Sequence, residues 1–319
     1  MISYRSFRNT DPPALAAVWN EAFPGRGAVK LRHSSALENY VFSKPYFDPQ
    51  GLIVAVEDAT PIGLVHAGFG PNQQLTGLSY EEGVTCVVGV LPSHWRRGIG
   101  SELLQRSEKY LQERGARVFY AGPLPPMDPF YFALYGGSGT PGILASEKSA
   151  PAFFQRHGYQ PHQSRLVLQR GLSQSLQIVD GRFSDHRRAY DLRIVPRLRA
   201  SPWWEECALG PVEIVDFRLE HKQTGQVAAC LSVWEMDLFS WRWDQPSVGF
   251  LHIEVQEPLR RCGVAKYLLA QTLHYLQDQF FGLSEVHVKP DDTPAMQLFR
   301  SVGFSPIDSG EQYKKVSSQ

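Results

Sequence analysis

The chain has 319 residues, which allows two domains of ordinary size or one large one. Hydrophobic residues make up 43% and charged residues 20%, a composition that forms a core and excludes a disordered chain. With 32 Lys+Arg against 32 Asp+Glu the formal charge is zero, which argues against a bulk electrostatic grip on nucleic acid or an anionic membrane and leaves only a local basic patch open.

In chain order, "ISYRSF" reads as a strand, and Asp11 as an N-cap with Pro12 at the first position of a helix over "ALAAVWNEAF". "GLIVAVED" and "TPIGLVHAGFG" form a hairpin turned at 58–61. The apolar run "TCVVGV" (85–90) leads through Pro92 into "HWRRGIGSELL". A helix follows, with Leu103, Leu104, Tyr110 and Leu111 on one stripe and Gly115 at its end. After the strand "ARVFYAG" comes "PLPPMDPFYFALYGGSGTPG" (123–142), a long ordered loop that reads either as a surface excursion or as the wall of a cleft. "APAFFQRHGY" is helical, and "SRLVLQR" closes the half.

The second half repeats the plan 165 residues later. "FLHIEV" (250–255) answers "TCVVGV", Pro258 answers Pro92, and "LRRCGVAKYLL" answers the first glycine loop. A helix with Leu268, Leu269, Leu273 and Leu276 follows, then the strand "SEVHVK", the helix "TPAMQLFRSVGF" and the strand "EQYKKV". A hairpin turned near Thr224-Gly225 precedes this series, and 191–206 reads as a helix and loop entering it. The expected division is 1–170 and 176–319, with a linker at "GLSQS" (171–175). Trp203-Trp204 suits a core or an interface better than a ligand contact.

A strand, a glycine turn and a helix make an anion site, because free amides and the macrodipole meet where no Cβ intervenes. Flanking arginines add charge and bidentate donors, so the expected ligand is a phosphate or pyrophosphate. Neither loop carries the Gly-Lys-Ser/Thr of a nucleotide triphosphatase or a complete G-x-G-x-x-G.

The pattern Arg/Gln-x-x-Gly-x-Gly/Ala after a strand ending in Val resembles the acetyl-CoA motif of the GNAT acyltransferase superfamily. "VQEPLRRCGVAKYLL" matches it with Arg260, Gly263 and Ala265; "VLPSHWRRGIGSELL" matches with Gly98 and Gly100, with Trp95 in place of the Arg/Gln. "DDTPAMQLFRSVGF" resembles the family's later helix motif, with Asp292 for Asn and Phe299 for Tyr. The likeness covers nearly the whole chain as two tandem copies, an architecture similar to mycothiol synthases. It implies an α/β (α+β) chain of two GNAT-fold domains, each a mixed, mostly antiparallel sheet flanked by helices.

The resemblance further implies an N-acetyltransferase with acetyl-CoA as cosubstrate. The cofactor-binding residues would be Val90, Leu91, Arg96, Arg97, Gly98, Ile99, Gly100 and Ser101 in one copy. In the other they would be Val255, Gln256, Arg260, Arg261, Cys262, Gly263, Val264, Ala265 and Lys266, and this copy is preferred as the intact site. A small-molecule or peptide amine would attack the thioester directly. An amine near pKa 10.4 must first lose a proton, and a strand amide can steady the oxyanion. His252 and Glu254 share a strand face and are the catalytic candidates, against a reading as a polar pair at a sheet edge. The acid tyrosine of the family is replaced by Phe154 and Phe299. Tyr131 or Tyr135 could stand in for it, although packing suits both better, as burial suits His66. Glu81 and Glu82 read as a solvated turn before their strand. The rival reading is a non-catalytic acyl-CoA sensor or scaffold.

Four cysteines lie far apart (Cys86, Cys207, Cys230, Cys262), so neither a disulfide framework nor a zinc knuckle is expected. Cys86 and Cys262 read as packing or loop residues. No metal, nucleic acid or membrane partner is expected. No apolar run suggests a signal peptide or a membrane span, and a cytoplasmic protein is the expectation.

Overall fold

The computed structural model describes residues 1–173, 176–197 and 202–317. The first half runs β1 (Ile2–Ser6), α1 (Pro12–Ala22), α2 (Ser35–Leu37), β2 (Leu52–Glu57), β3 (Thr60–Pro71), β4 (Leu78–Val90), α3 (Ile99–Glu113), β5 (Val118–Ala121), β6 (Ile143–Leu144), α4 (Ala150–Arg156) and β7 (Gln160–Gly171). The second runs α5 (Phe183–Ala189), β8 (Tyr190–Pro196), α6 (Trp203–Leu209), β9 (Ile214–His221), β10 (Val227–Glu235), α7 (Asp237–Trp243), β11 (Ser247–Val255), α8 (Val264–Asp278), β12 (Leu283–Val288), α9 (Thr293–Ser301) and β13 (Ser305–Val316).

Local chemistry accounts for most of these elements. Asp58 and Ala59 take positive φ (48° and 71°) to reverse β2 into β3, a tight turn matching the twist of a hairpin. Asp11 does precede α1, but its carboxylate is bound by Arg5 at 2.7 and 2.8 Å and by the amide of Arg8 at 2.8 Å, not by the helix. The expected stripe of α3 is buried (Leu103, Leu104, Tyr110, Leu111), as is that of α8 (Leu268, Leu269, Leu273, Leu276).

The repeat is stricter in three dimensions than in sequence. Helix α3 begins at Ile99 and ends at Glu113; α8 begins at Val264 and ends at Asp278, an offset of 165 at both ends. The parallel ladders obey the same offset. Glu82 pairs with Val118 and Thr85 with Ala121; Ser247 pairs with Leu283 and Phe250 with Val286. Each ladder then stops.

The final strands depart from expectation. They do not close their own halves. β13, from the end of the chain, pairs antiparallel with β5, and β7, from the first half, pairs antiparallel with β12. β7 and β13 also pair with each other, which joins everything into one sheet in the order β1-β2-β3-β4-β5-β13-β7-β12-β11-β10-β9-β8. The stretch 191–206, read as a helix and loop, contains the helix α6, but that helix is preceded by a strand, Tyr190–Pro196, because β9 offers an antiparallel edge from His221 to Val215. Glu81 and Glu82 lie inside β4, not in a turn before it. Of the expected linker, Gly171 ends β7 and Leu172 donates to Gly282 O at 2.8 Å, while 174–175 fall outside the described residues.

The loop 123–142 is core. Phe130, Tyr131, Phe132, Leu134 and Tyr135 are each at most 5% exposed and pack with Trp19 of α1 and with Trp234 of β10. It therefore bridges the halves, on the sheet face opposite α3 and α8. Trp204 stacks on Tyr46 (5.3 Å) and strengthens the same junction. No described helix is long and apolar enough to cross a membrane.

Because each half lacks its terminal strand, residues 1–173 expressed alone are expected to expose β5 and to melt without a cooperative transition. Co-expression with 176–319 should restore one soluble complex with a single calorimetric transition. Two independently folding, monomeric halves would contradict the exchange.

Candidate active site

Each glycine loop is set by two left-handed residues. Arg96 (φ 63°) and Gly98 (φ 80°) turn the first, Arg261 (φ 62°) and Gly263 (φ 88°) the second. The backbone amides of 96–101 and of 261–266 meet no hydrogen-bond acceptor among the described residues. They form two cradles at the starts of α3 and α8, where the helix dipole adds positive potential. At Gly98 a Cβ would meet nothing within 4 Å, so the first cradle opens to solvent. At Gly263 it would come within 2.8 Å of the Arg182 guanidinium. Arg182 is held in two contacts by Asp180 (2.9 and 2.8 Å), and Lys266 reaches Asp180 at 3.4 Å, so the segment before α5 delivers a second cation to this cradle.

The place of the motif arginine has a local explanation. Arg260 Nε donates to Val255 O at 3.2 Å, tying the loop to the last carbonyl of β11. Trp95, 165 residues earlier, donates its indole N–H to Val90 O at 2.7 Å. The two side chains perform the same backbone tie, so Arg96 and Arg97 need not replace the missing arginine. Arg97 is engaged instead with Glu57 (2.7 Å); with His94 on the other oxygen (2.9 Å), it holds that carboxyl well below the usual range. Leu91 N donates to Ile62 O and Gln256 N to Ala228 O, so both strand ends are locked to their antiparallel neighbours. Ile99 and Val264 are buried under their helices, while Gly100, Ser101 and Ala265 are half-buried at the cradle mouths. Cys262 is exposed on the loop, its carbonyl 3.1 Å from His186 Nε2, and Cys86 is buried.

Beyond each cradle the parallel strands part. One extra residue bulges β4 at Cys86, opposite His66 and Ala67, and β11 at Leu251, opposite Ser232 and Val233. A bulge bends and twists its strand, and both sit one residue past the last parallel pair. In the second half a cavity of about 350 Å³ occupies the gap. One side is apolar, with Phe250, Val286, Val288 and Phe299 from the core under α8. The other side presents Arg165, His252, His287 and Lys289, with Asp292 at the start of α9. Arg165 comes from β7, so the exchanged strand contributes to this site.

His252 lines the cavity and lies 3.6 Å from Glu254; both side chains are more than half exposed, on one face as expected. Their counterparts in the first half are Val87, buried with Trp19, Tyr131 and Phe132, and Gly89, where a Cβ would fall 2.9 Å from Phe23. The loop 123–142 and α1 fill that face. Tyr131 and Tyr135 are consumed in this packing, Tyr131 stacked on Trp19 and Tyr135 accepting from Leu144 N at 3.1 Å, and neither reaches a cradle. Phe154 and Phe299 are buried. His66 is fully buried against Phe130, its Nδ1 3.1 Å from Tyr131 Oη, and burial pushes its pKa down to about 3. Sequence reasoning missed Arg165, Arg182, Glu285 and His287. The last two alternate in "SEVHVK" as His252 and Glu254 do in "FLHIEV", and the same period-two argument would have found them.

The acetyltransferase (GNAT) family profile matches residues 14–132 and 185–304, once in each half. The mycothiol acetyltransferase of Thermobifida fusca is 25% identical over 251 residues, covering 73% of this chain and 74% of that one. Among solved structures, the GCN5-related glucosamine N-acetyltransferase region of a fungal multi-domain β-N-acetylglucosaminidase superposes with a TM-score of 0.71 at 17% identity. That match covers 99% of this chain, which spans 38% of the other. A tandem GNAT protein from the clavulanic acid biosynthesis pathway gives 0.66 at 13% identity over 100% and 99% of the two chains.

A histidine with pKa about 3 when folded and 6.5 when unfolded stays neutral in the native state while the unfolded chain takes up a proton. Its contribution is whole above pH 6.5 and is lost as pH falls toward 3, at up to about 1.4 kcal/mol per pH unit. Denaturant titrations should show a shallower pH dependence over this window for His66→Leu than for the parent protein. Equal slopes would mean that His66 already charges in the folded state.

Proposed function

The chain belongs to the GNAT acetyltransferase family in a tandem, two-copy arrangement, and we propose that it transfers the acetyl group of acetyl-CoA to a primary amine by direct attack, in the second half. The observation that carries this reading is the cavity between β11 and β12, which runs from an apolar side under α8 to a polar side bearing titratable groups. A thioester entering from the apolar side and an amine from the polar side would meet where no ladder hydrogen bond closes the gap.

In this reading the amides of 261–266 hold the diphosphate, with Arg182, Lys266 and the loop arginines supplying charge. The parted edge of β11 offers backbone groups to the pantetheine arm and an amide to the oxyanion. His252 and Glu254 stand more than half exposed at the polar side, where they can relay a proton from the amine toward solvent. The first half keeps an open cradle at 96–101, but aromatic side chains occupy its acceptor face, so we assign it donor binding without transfer. The acceptor is a small-molecule or peptide amine; the relatives named for mycothiol and glucosamine acetylation place amino sugars first in a screen. The divisions 1–170 and 176–319 are proposed as repeat units, each completed by the other's last strand.

Two substitutions separate the cradles without harming their helices. A glutamate in the first turn is favoured by the helix dipole, yet it places negative charge where a diphosphate would sit. Ala265→Glu is expected to weaken acetyl-CoA binding to the second cradle at least tenfold in calorimetry and to abolish thiol release with amino-sugar, polyamine and peptide acceptors. Gly100→Glu should remove only the first binding event and leave turnover intact. Turnover lost with Gly100→Glu and kept with Ala265→Glu would move the reaction to the first half. No acetyl-CoA binding by the parent protein would refute the transferase reading altogether.

A further inference from the structure

Where β12 leaves β11 it carries Glu285 and His287 on the face turned toward the loop 123–142. Glu285 is 1% exposed, an unusual place for a carboxylate unless it is bound. It is bound: Ser138 N donates to Oε1 at 2.7 Å, and Gln169 Nε2 donates to Oε2. Gln169 in turn accepts from Arg26 at 2.9 Å. The carboxylate is thus fixed by the inserted loop, the exchanged strand β7 and the first half together. His287 Nε2 lies 3.4 Å from Glu285 Oε1 and is buried with no hydrogen-bond partner among the described residues. The ring lines the cavity. Its other nitrogen, Nδ1, packs close to Gly139, where an added Cβ would stand only 3.2 Å away.

We propose that His287 takes the proton from the acceptor amine, oriented by Glu285 as its positioning residue. The assignment rests on the acetyl-transfer reading above and concerns groups other than His252 and Glu254. A proton on Nε2, the ring nitrogen that lies 3.4 Å from Glu285 Oε1, would leave Nδ1 as the acceptor. The ammonium gives one proton to Nδ1. The neutral nitrogen attacks the thioester carbon, the C–N bond forms and the C–S bond breaks. The departing thiolate takes the second nitrogen-bound proton, so amide, free thiol and one proton, passed from His287 to solvent, balance the reaction. The charged and titratable groups around the ring are Glu285 on β12, Lys289 just after it, Arg165 on β7, His252 on β11, Asp292 before α9, and, behind Glu285, Arg26 and Asp308.

The test uses the full chain with acetyl-CoA and a panel of glucosamine, spermidine and an alanine-initiated peptide. His287→Gln is expected to lower kcat about 100-fold, with KM for acetyl-CoA within threefold and the melting temperature retained, and to erase the acidic limb of the kcat/KM profile. Glu285→Gln should move that limb, which a merely structural role would not do. Gly139→Val, which crowds Nδ1 without touching Glu285, should reproduce the His287→Gln loss. A folded His287→Gln protein with the parental rate and pH profile overturns the proposal, all the more if His252→Gln is inactive. Ring 15N NMR of the acetyl-CoA-bound protein decides where no panel amine reacts. A proton on Nε2 with Nδ1 unprotonated supports the assignment, and a proton resident on Nδ1 refutes it. Failure of acetyl-CoA to bind at all is a separate result and counts against the transferase reading.

Discussion

Two parallel strands that pair for four residues and then part govern this molecule. Up to Thr85 and Phe250 the ladders bury their backbone groups in each other. Past those points the edge of the inner strand keeps only its antiparallel neighbour, and its remaining amides and carbonyls need a partner. A bulge at the first unpaired residue makes the parting abrupt. The cradle follows eight residues after each strand end, on a turn that needs left-handed backbone at two positions. Unpaired strand edge and unpaired helix amides are thus consecutive stretches of one chain. A long ligand with a diphosphate at one end and an amide-rich arm could satisfy both, and the two features recur together at an offset of 165.

The halves share this frame and differ in what covers it. The insertion after β5 brings a run of aromatics over the first half's open face and buries it. Its tail continues to the second half, where Ser138 and Gly139 meet Glu285 and His287. One segment therefore covers a face of the first half and packs against Glu285 and His287 of the second. The exchanged strands act in the same sense, because β7 carries Arg165 and Gln169 across to β12. An interface built from core aromatics, swapped strands and a bound carboxylate is not a hinge, and the second site inherits its rigidity.

Much of this was legible in the chain. Apolar alternation placed the hairpins, the stripes of α3 and α8 were visible at their spacing, and the two glycine loops announced themselves by their preceding strands. Pairing partners were not. A strand such as "EQYKKV" shows that it is a strand, and its alternation is the same whichever neighbour it finds; the exchange is decided by register at β5 and β12. The strand that opens the stretch 191–206 was not expected for a related reason, since "DLRIVPR" has no clear period and the waiting edge of β9 settled it. Arg182 escaped because its place beside Gly263 depends on a segment distant from that loop in sequence.

The comparison of Trp95 with Arg260 bears on how such motifs are read. A basic residue at that position is taken as a ligand for phosphate, and an indole there suggests a lost site. Yet both side chains use one N–H to hold the terminal carbonyl of the strand, Val90 O or Val255 O, and that tie fixes the turn from which the amides project. The requirement is for a donor of the right reach, which tryptophan meets without charge. What distinguishes the cradles is then the cation count at the mouth: Arg97 is neutralised by Glu57 in the first, while Arg182 and Lys266 converge on the second with Asp180 as their shared counterion. A diphosphate arriving at the second cradle would compete with one carboxylate for two cations, one of them from the segment before α5 and not from the glycine loop itself.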